Sequence, residues 1–205
     1  MNNSEIIEAF NYYIPEPKCS LNYRTDYELL IATVLSAQCT DERVNKVTEV
    51  LFKKYPSIKE LSEASISDIE NIIREIGTFR RKAIYVHEIT NKLVNDGYDY
   101  IPNDRKYIES LPGVGRKVCN VVLANIFHEN VIAVDTHVER VSKRLGFANI
   151  KDDPYTIEKK LDKKFKDKLG DLHHQILLFG RHYCKAKNPL CEGCKFKKIC
   201  KYKNK

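Results

Sequence analysis

The sequence predicts an all-α fold, built of many short helices joined by short loops. Two observations carry this. Apolar residues recur three and four positions apart in most segments, and residues that start or stop helices bracket those segments. The only strand-like run, VIAV at 131–134, is four residues long and too short to build a sheet.

Taken in order, Thr25-Asp26-Tyr27-Glu28 reads as a capping box opening YELLIATVLSAQ. Ser67-Asp68-Ile69-Glu70 reads as a second box, opening DIENIIREIG, with Gly77 as its stop. RKAIYVHEITNKLV is amphipathic and ends at Asp96-Gly97. Ile101-Pro102 punctuates the loop before DRKYIESL, and RKVCNVVLANIF follows. Thr136-His137-Val138-Glu139 is a third box, opening HVERVSKRLG, which Gly146 stops. TIEKKLDKKF and LHHQILLFGRHYC complete the series.

A hydrophobic fraction of 42% and a charged fraction of 31% over 205 residues are those of an ordinary globular chain. No apolar run approaches the roughly 18 residues of a membrane span. The start, MNNSEIIEAFNYY, has no basic stretch followed by an apolar one, so the expected compartment is intracellular.

From Cys184 onward the chain carries eight lysines (185, 187, 195, 197, 198, 201, 203 and 205) against one acid, Glu192. The first 183 residues hold 27 basic and 27 acidic groups, so the net charge of +7 sits on this tail. A basic patch of this kind suits a polyanion such as nucleic acid, although a solvated lysine-rich tail has the same composition. The tail also holds Cys184, Cys191, Cys194 and Cys200, spaced C-x6-C-x2-C-x5-C. Without a secretory signal, such a cluster points to metal rather than disulfides. One close pair with wider flanking gaps suits the separated corners of an iron–sulfur cubane better than a two-knuckle zinc site. On spacing alone, zinc and free thiols stay open. Cys119, within an apolar helix, reads as a small buried hydrophobe.

LPGVGRKVCN at 111–120 is a glycine-rich bend followed at once by a helix. A plain helix–helix turn is one reading. In the other, Gly113, Val114 and Gly115 bring the backbone close to a phosphate, which N–H groups at the helix start hold while Arg116 adds charge. Such contacts fix register on DNA without reading bases. Lys117 stands in the helix's first turn, where the helix end and Arg116 both disfavour the ammonium form. It is either a phosphate contact or an amine nucleophile suited to Schiff-base chemistry. Asp135, just before the Thr136 cap, is either a capping carboxylate or the second member of a pocket shared with Lys117.

LPGVGRK, AVDTH and the four-cysteine spacing, in this order and separation, resemble the endonuclease III family of helix-hairpin-helix DNA glycosylases with an iron–sulfur cluster. ELLIATVLSAQCTD and the IG-x-F-x-x-KA of Ile76 to Ala83 fit the same family, and the similarity runs from about Asn22 to Cys200. The resemblance implies two helical domains flanking a DNA-binding cleft. One is a six-helix barrel over 22–132, with the hairpin at about 106–127. The other is an iron–sulfur domain made of 1–21 with 133–205, whose cluster loop is 184–200. Lys117 and Asp135 take the catalytic positions, and Cys184, Cys191, Cys194 and Cys200 those of the [4Fe–4S] ligands. Gln38 falls where the family inserts a side chain into the gap left by a flipped nucleotide. Glu109 and His137 match pocket-adjacent positions. Thr78 stands where many members carry a bulky Leu or Phe wedge, a departure that bears on unstacking of the opposite strand. Gln175 and Phe179 also depart from the common bacterial pattern near the cluster.

The implied function is base-excision repair. A bifunctional DNA N-glycosylase and AP lyase removes oxidised pyrimidines through a Lys117 Schiff base and cleaves the strand 3′ to the abasic site by β-elimination. The implied cluster is structural and presents Lys185, Lys187 and Lys195 to phosphates. The expected partner is double-stranded DNA with oxidised pyrimidines or abasic sites, with no membrane, and the expected protein is a monomer in the cytoplasm or nucleoid of a prokaryote. Two rivals are a monofunctional mismatch glycosylase and a non-enzymatic hairpin protein that only binds DNA. An electron carrier needs neither Lys117 nor the hairpin.

Overall fold

The computed structural model describes residues 1–202, the side chain of Asp167 excepted; Lys203 and Lys205 of the basic tail lie outside the described residues. Among the described residues the helices run α1 (Asn3–Tyr13), α2 (Asp26–Leu35), α3 (Asp41–Lys54), α4 (Ile58–Ser62), α5 (Ile66–Ile73), α6 (Phe79–Asn95), α7 (Arg105–Ser110), α8 (Arg116–Ile126), α9 (Thr136–Leu145), α10 (Pro154–Phe165) and α11 (Leu169–His182), with a 3-10 turn at Lys166–Lys168. No strand occurs among the described residues, and 131–134 are irregular chain. No helix among them is long and apolar enough to cross a membrane.

The chain divides into two compact units, Ser20–Phe127 and Met1–Cys19 with His128–Lys205. The second division falls ahead of residue 132 rather than behind it, because Ile132 is buried in the core of the unit that follows.

In Ser20–Phe127 the central element is α2. Every residue from Tyr27 to Leu35 is buried, so the helix has no solvent face and neighbours must cover it. α3, α6 and α8 do so, and α4 and α5 lie along α6. Glu28 is the charged exception. Its carboxylate accepts from the Arg24 backbone N–H at 2.6 Å and from Arg24 Nη2 at 2.7 Å. The expected box at Thr25 therefore forms only by half: Thr25 accepts from the Glu28 N–H, while the Glu28 side chain turns to Arg24. α5 is capped by Ser65, not Ser67. The Ser65 hydroxyl accepts from the Asp68 N–H at 3.0 Å, and this start turns Ile69 and Ile73 to the core. Helices α1, α3 and α4 are absent from the expected series. α3 nevertheless has a full set of signals, with a Thr40 cap, Asp41 and Glu42 in its first turn and Lys53 and Lys54 in its last.

In the other unit α9 and α11 cross closely. Gly180 makes the crossing possible, since a Cβ there would lie 3.0 Å from both His137 Cβ and Val141 Cγ2. α1 lies along α11, and Phe10, Phe179 and Phe196 pack as a group with centroids 4.5 to 5.7 Å apart. Phe196 comes from the cysteine loop and is fully buried, so apolar burial anchors that loop in the core. The two departures near the loop now have physical roles. Phe179 belongs to the aromatic group. Gln175 is buried, and its amide nitrogen donates to Asn11 Oδ1 at 2.5 Å and to the Ile14 carbonyl at 3.2 Å, tying α11 to the end of α1.

Gly180→Val overpacks the α9–α11 crossing and is expected to destabilise the protein by about 1–3 kcal/mol in urea denaturation. Unchanged stability would mean that the two helices are not held at this spacing.

Candidate active site

The hairpin turn is set by two neighbours. Val114 is buried, and its N–H donates to the Leu111 carbonyl at 3.1 Å. Gly113 has φ +74°, and a Cβ there would lie 2.6 Å from the Tyr85 ring. Both the backbone conformation and the space under the ring therefore demand glycine. Gly115 is the N-cap of α8 and contributes no side-chain cap. A helix start of this kind is where backbone N–H groups bind anions. Arg116 is half-buried, and Lys117, the second residue of α8, is exposed. Glu109 on α7 is engaged: it pairs with Arg105 Nη1 at 3.1 Å, and the same nitrogen donates to Asn120 Oδ1 on α8 at 2.8 Å.

Gln38 follows α2 and Thr78 caps α6 without a side-chain hydrogen bond to the helix. Both are exposed and both lie in left-handed backbone, at φ +55° and +56°. Non-glycine residues seldom sit there, and such strain gathers at functional sites. The two turns adjoin, since a Cβ on Gly77 would lie 4.0 Å from the Gln38 carbonyl oxygen.

Asp135 is itself the N-cap of α9, and Thr136 is the first helical residue. One carboxylate oxygen accepts from the His137 N–H at 2.9 Å and the Val138 N–H at 2.7 Å. Because Asp135 is the cap and Thr136 is already helical, the Glu139 N–H donates to the Asp135 carbonyl at 2.8 Å, so the expected box at Thr136 does not form, and Glu139 instead pairs with Lys143. His137 is half-buried, and its Nδ1 accepts from Arg140 Nη2 at 3.1 Å. Burial pushes its pKa below the usual histidine value; Arg140 and Arg181 act the same way, and Asp135 acts against them.

Two arginines four residues apart on α9 hold the cysteine loop. Arg140 donates to the carbonyls of Gly180 and Cys184, at 2.8 and 3.1 Å. Arg144 donates to the Lys185 carbonyl at 2.7 Å and contacts Cys184 Sγ at 3.4 Å. The sequence reading assigned neither; cations four apart on a helix beside His137 are the signal that points to them. Cys184, Cys191, Cys194 and Cys200 line one cavity with Arg144, Phe179 and Leu190, and none is in a disulfide. Burial pushes the Cys194 thiol up, and Cys184 and Cys200 add to the effect. Among the described residues no three His, Cys, Asp or Glu side chains converge to hold a single ion. Soft sulfurs around a shared apolar cavity with a guanidinium at its edge fit a thiolate-bound cluster. Lys185, Lys187 and Lys195 are exposed. The Lys195 N–H donates to the Tyr13 hydroxyl at 3.0 Å, and its ammonium lies 4.1 Å from the Tyr12 ring centre.

The model of the HhH-GPD superfamily of base excision DNA repair proteins matches residues 31–167. Endonuclease III of Bacillus subtilis is 40% identical over 188 residues, spanning 91% of this chain and 86% of its own. The chain belongs to the endonuclease III family. A solved structure of a trapped endonuclease III–DNA covalent intermediate has a TM-score of 0.92 at 41% identity, covering 98% of this chain and 96% of that one. A non-covalent endonuclease III–DNA complex has a TM-score of 0.92 at 42% identity, with 97% and 93% covered. As a member of the endonuclease III family, the chain is a base-excision repair enzyme, a DNA glycosylase and AP lyase.

Asp135→Ala removes both cap bonds and is expected to cost about 1 kcal/mol of stability, whereas Asp135→Asn, itself a good cap, should cost only a small part of that. Equal losses in thermal unfolding would show that the charge, and not the cap, holds the start of α9.

Proposed function

We propose that the substrate is an oxidised pyrimidine in duplex DNA and that Lys117 and Asp135 carry the chemistry. The observation behind this reading is the placement of Lys117, an exposed amine in the first turn of α8 directly after a backbone built to approach phosphate. A related endonuclease III, 41% identical, forms a covalent intermediate with DNA that can be trapped. An amine nucleophile on this chain accounts for the same kind of bond.

The damaged nucleotide leaves the stack, at a lower cost because damage weakens pairing and stacking. The Asp135 carboxylate stabilises positive charge that develops on the sugar. Deprotonated Lys117 Nζ attacks C1′, forming the N–C bond as the glycosidic bond breaks and the base departs with its electron pair. Ring opening gives the iminium. That cation acidifies the C2′ proton, whose loss expels the 3′ phosphate by β-elimination, and water then releases Lys117. Gln38 fills the gap left in the duplex. Thr78, smaller than the usual wedge, disturbs the opposite strand less. Gly113, Val114, Gly115 and Arg116 hold a phosphate, while Glu109 is positioned by Arg105 and His137 by Arg140.

Cys184, Cys191, Cys194 and Cys200 would hold a [4Fe–4S] cluster. Its contribution when bound is structural cross-linking of the loop. Phe196 and the two α9 arginines already fix that loop, which presents Lys185, Lys187 and Lys195 to phosphates. The protein acts as a monomer within the prokaryotic nucleoid.

A lesion panel under borohydride trapping tests the reading. Oxidised pyrimidines and abasic sites should yield trapped adducts, and Lys117→Ala should abolish them. Base release with no adduct would make the enzyme monofunctional. Iron and sulfide, rather than stoichiometric zinc, should accompany the purified protein.

A further inference from the structure

Lys82, on α6, is only 4% exposed, which is rare for a lysine. Burial lowers its pKa, with Cys39 acting against the shift. An isolated buried cation costs stability that a methionine of the same length would not. One contact sets Lys82 apart from an amphipathic residue folded inward by chance. Its Nζ donates to the Ala37 carbonyl at 2.7 Å. Its backbone N–H makes the ordinary first-turn helix bond to the Thr78 carbonyl, so the side chain alone ties the Gln38 turn to α6.

The side-chain bond has a specific geometric effect. The Ala37 carbonyl belongs to the peptide plane that joins Ala37 to Gln38. Holding its oxygen orients that plane and so restrains φ of Gln38, which lies at the strained value of +55°. A strained conformation persists only where the surroundings over-determine it. Ser36 adds a local tie, because its hydroxyl donates to the Thr33 carbonyl at 2.8 Å. The longer-range restraint on this turn comes from Lys82, across 45 residues of sequence.

We propose that Lys82 is a positioning residue that fixes the Ala37–Gln38 peptide and thereby aims Gln38 into the gap left by the extruded nucleotide. This rests on the reading of Gln38 as the inserting side chain. Lys82 touches neither DNA nor the reacting atoms and acts only through the turn.

A double-mutant cycle between Lys82→Met and Gln38→Ala tests it, read as kcat/KM for release of an oxidised pyrimidine from duplex DNA. Each single variant is expected to lose about tenfold, in line with the cost of misplacing a positioned group. The double variant should be no worse than Gln38→Ala. A second readout is the fluorescence of 2-aminopurine placed opposite a tetrahydrofuran abasic analogue. Saturating wild-type protein should raise it, and Lys82→Met should raise it less. Losses that multiply in the double variant, or a full fluorescence rise with Lys82→Met, overturn the proposal. A silent Gln38→Ala overturns the Gln38 reading and this role together; an impaired Gln38→Ala with multiplying losses overturns the Lys82 role alone. Should Lys82→Met fail to fold, Lys82→Gln, with a shorter reach, runs the same cycle.

Discussion

Gly113 lies in left-handed backbone against the Tyr85 ring, at a distance no Cβ could share. That contact determines where the chain can leave α7 and enter α8. Because the turn closes there and Val114 goes inward, α8 begins at Arg116 and Lys117 lands in its first turn. Tyr85 is held in place by its own helix, since Arg81 Nε donates to its hydroxyl at 2.6 Å. The same helix starts at the strained Thr78 and reaches the Gln38 turn through Lys82. α6 therefore serves three surface features at once: the hairpin and the two left-handed turns. It packs on α4, α5 and α2, whose residues from Tyr27 to Leu35 are all buried. Rigid support from a buried helix is what exposed, strained backbone needs if it is to hold one geometry.

The second unit solves a different problem. A polar, lysine-rich loop has no apolar surface of its own sufficient to fold. Phe196 supplies an anchor in the aromatic group of α1 and α11, and Arg140 and Arg144 bind the loop's carbonyls from α9. α9 is also the helix that Asp135 caps. Gly180 allows α9 to lie directly on α11, so the capping carboxylate, His137 and the cysteine loop share one packed frame. A loosened loop would disturb the Asp135 cap through α9.

Much of this was legible in the sequence, for identifiable reasons. The all-α class followed from helical spacing in segments such as 116–126, where packing agrees with periodicity. The hairpin and the cysteine run were visible because glycine and thiol chemistry leave few substitutes. Caps were read less well. Adjacent serines, threonines and aspartates compete, and the winner depends on which start turns the apolar residues inward, so Ser65 displaced Ser67 and Asp135 displaced Thr136. Lys82 was invisible as a buried group, because a lysine on an amphipathic helix looks like a surface residue until its partner, 45 residues away, is known. Left-handed backbone at Gln38 and Thr78 could not be read either, since neither residue favours it.

The central claim is that the amine in the first turn of α8 bonds covalently to DNA. Proteolysis and mass spectrometry of the borohydride-reduced complex with abasic-site duplex would locate the bond directly. The DNA-linked peptide is predicted to carry its modification on Lys117; modification at the N-terminal amine or at any other lysine would contradict the claim.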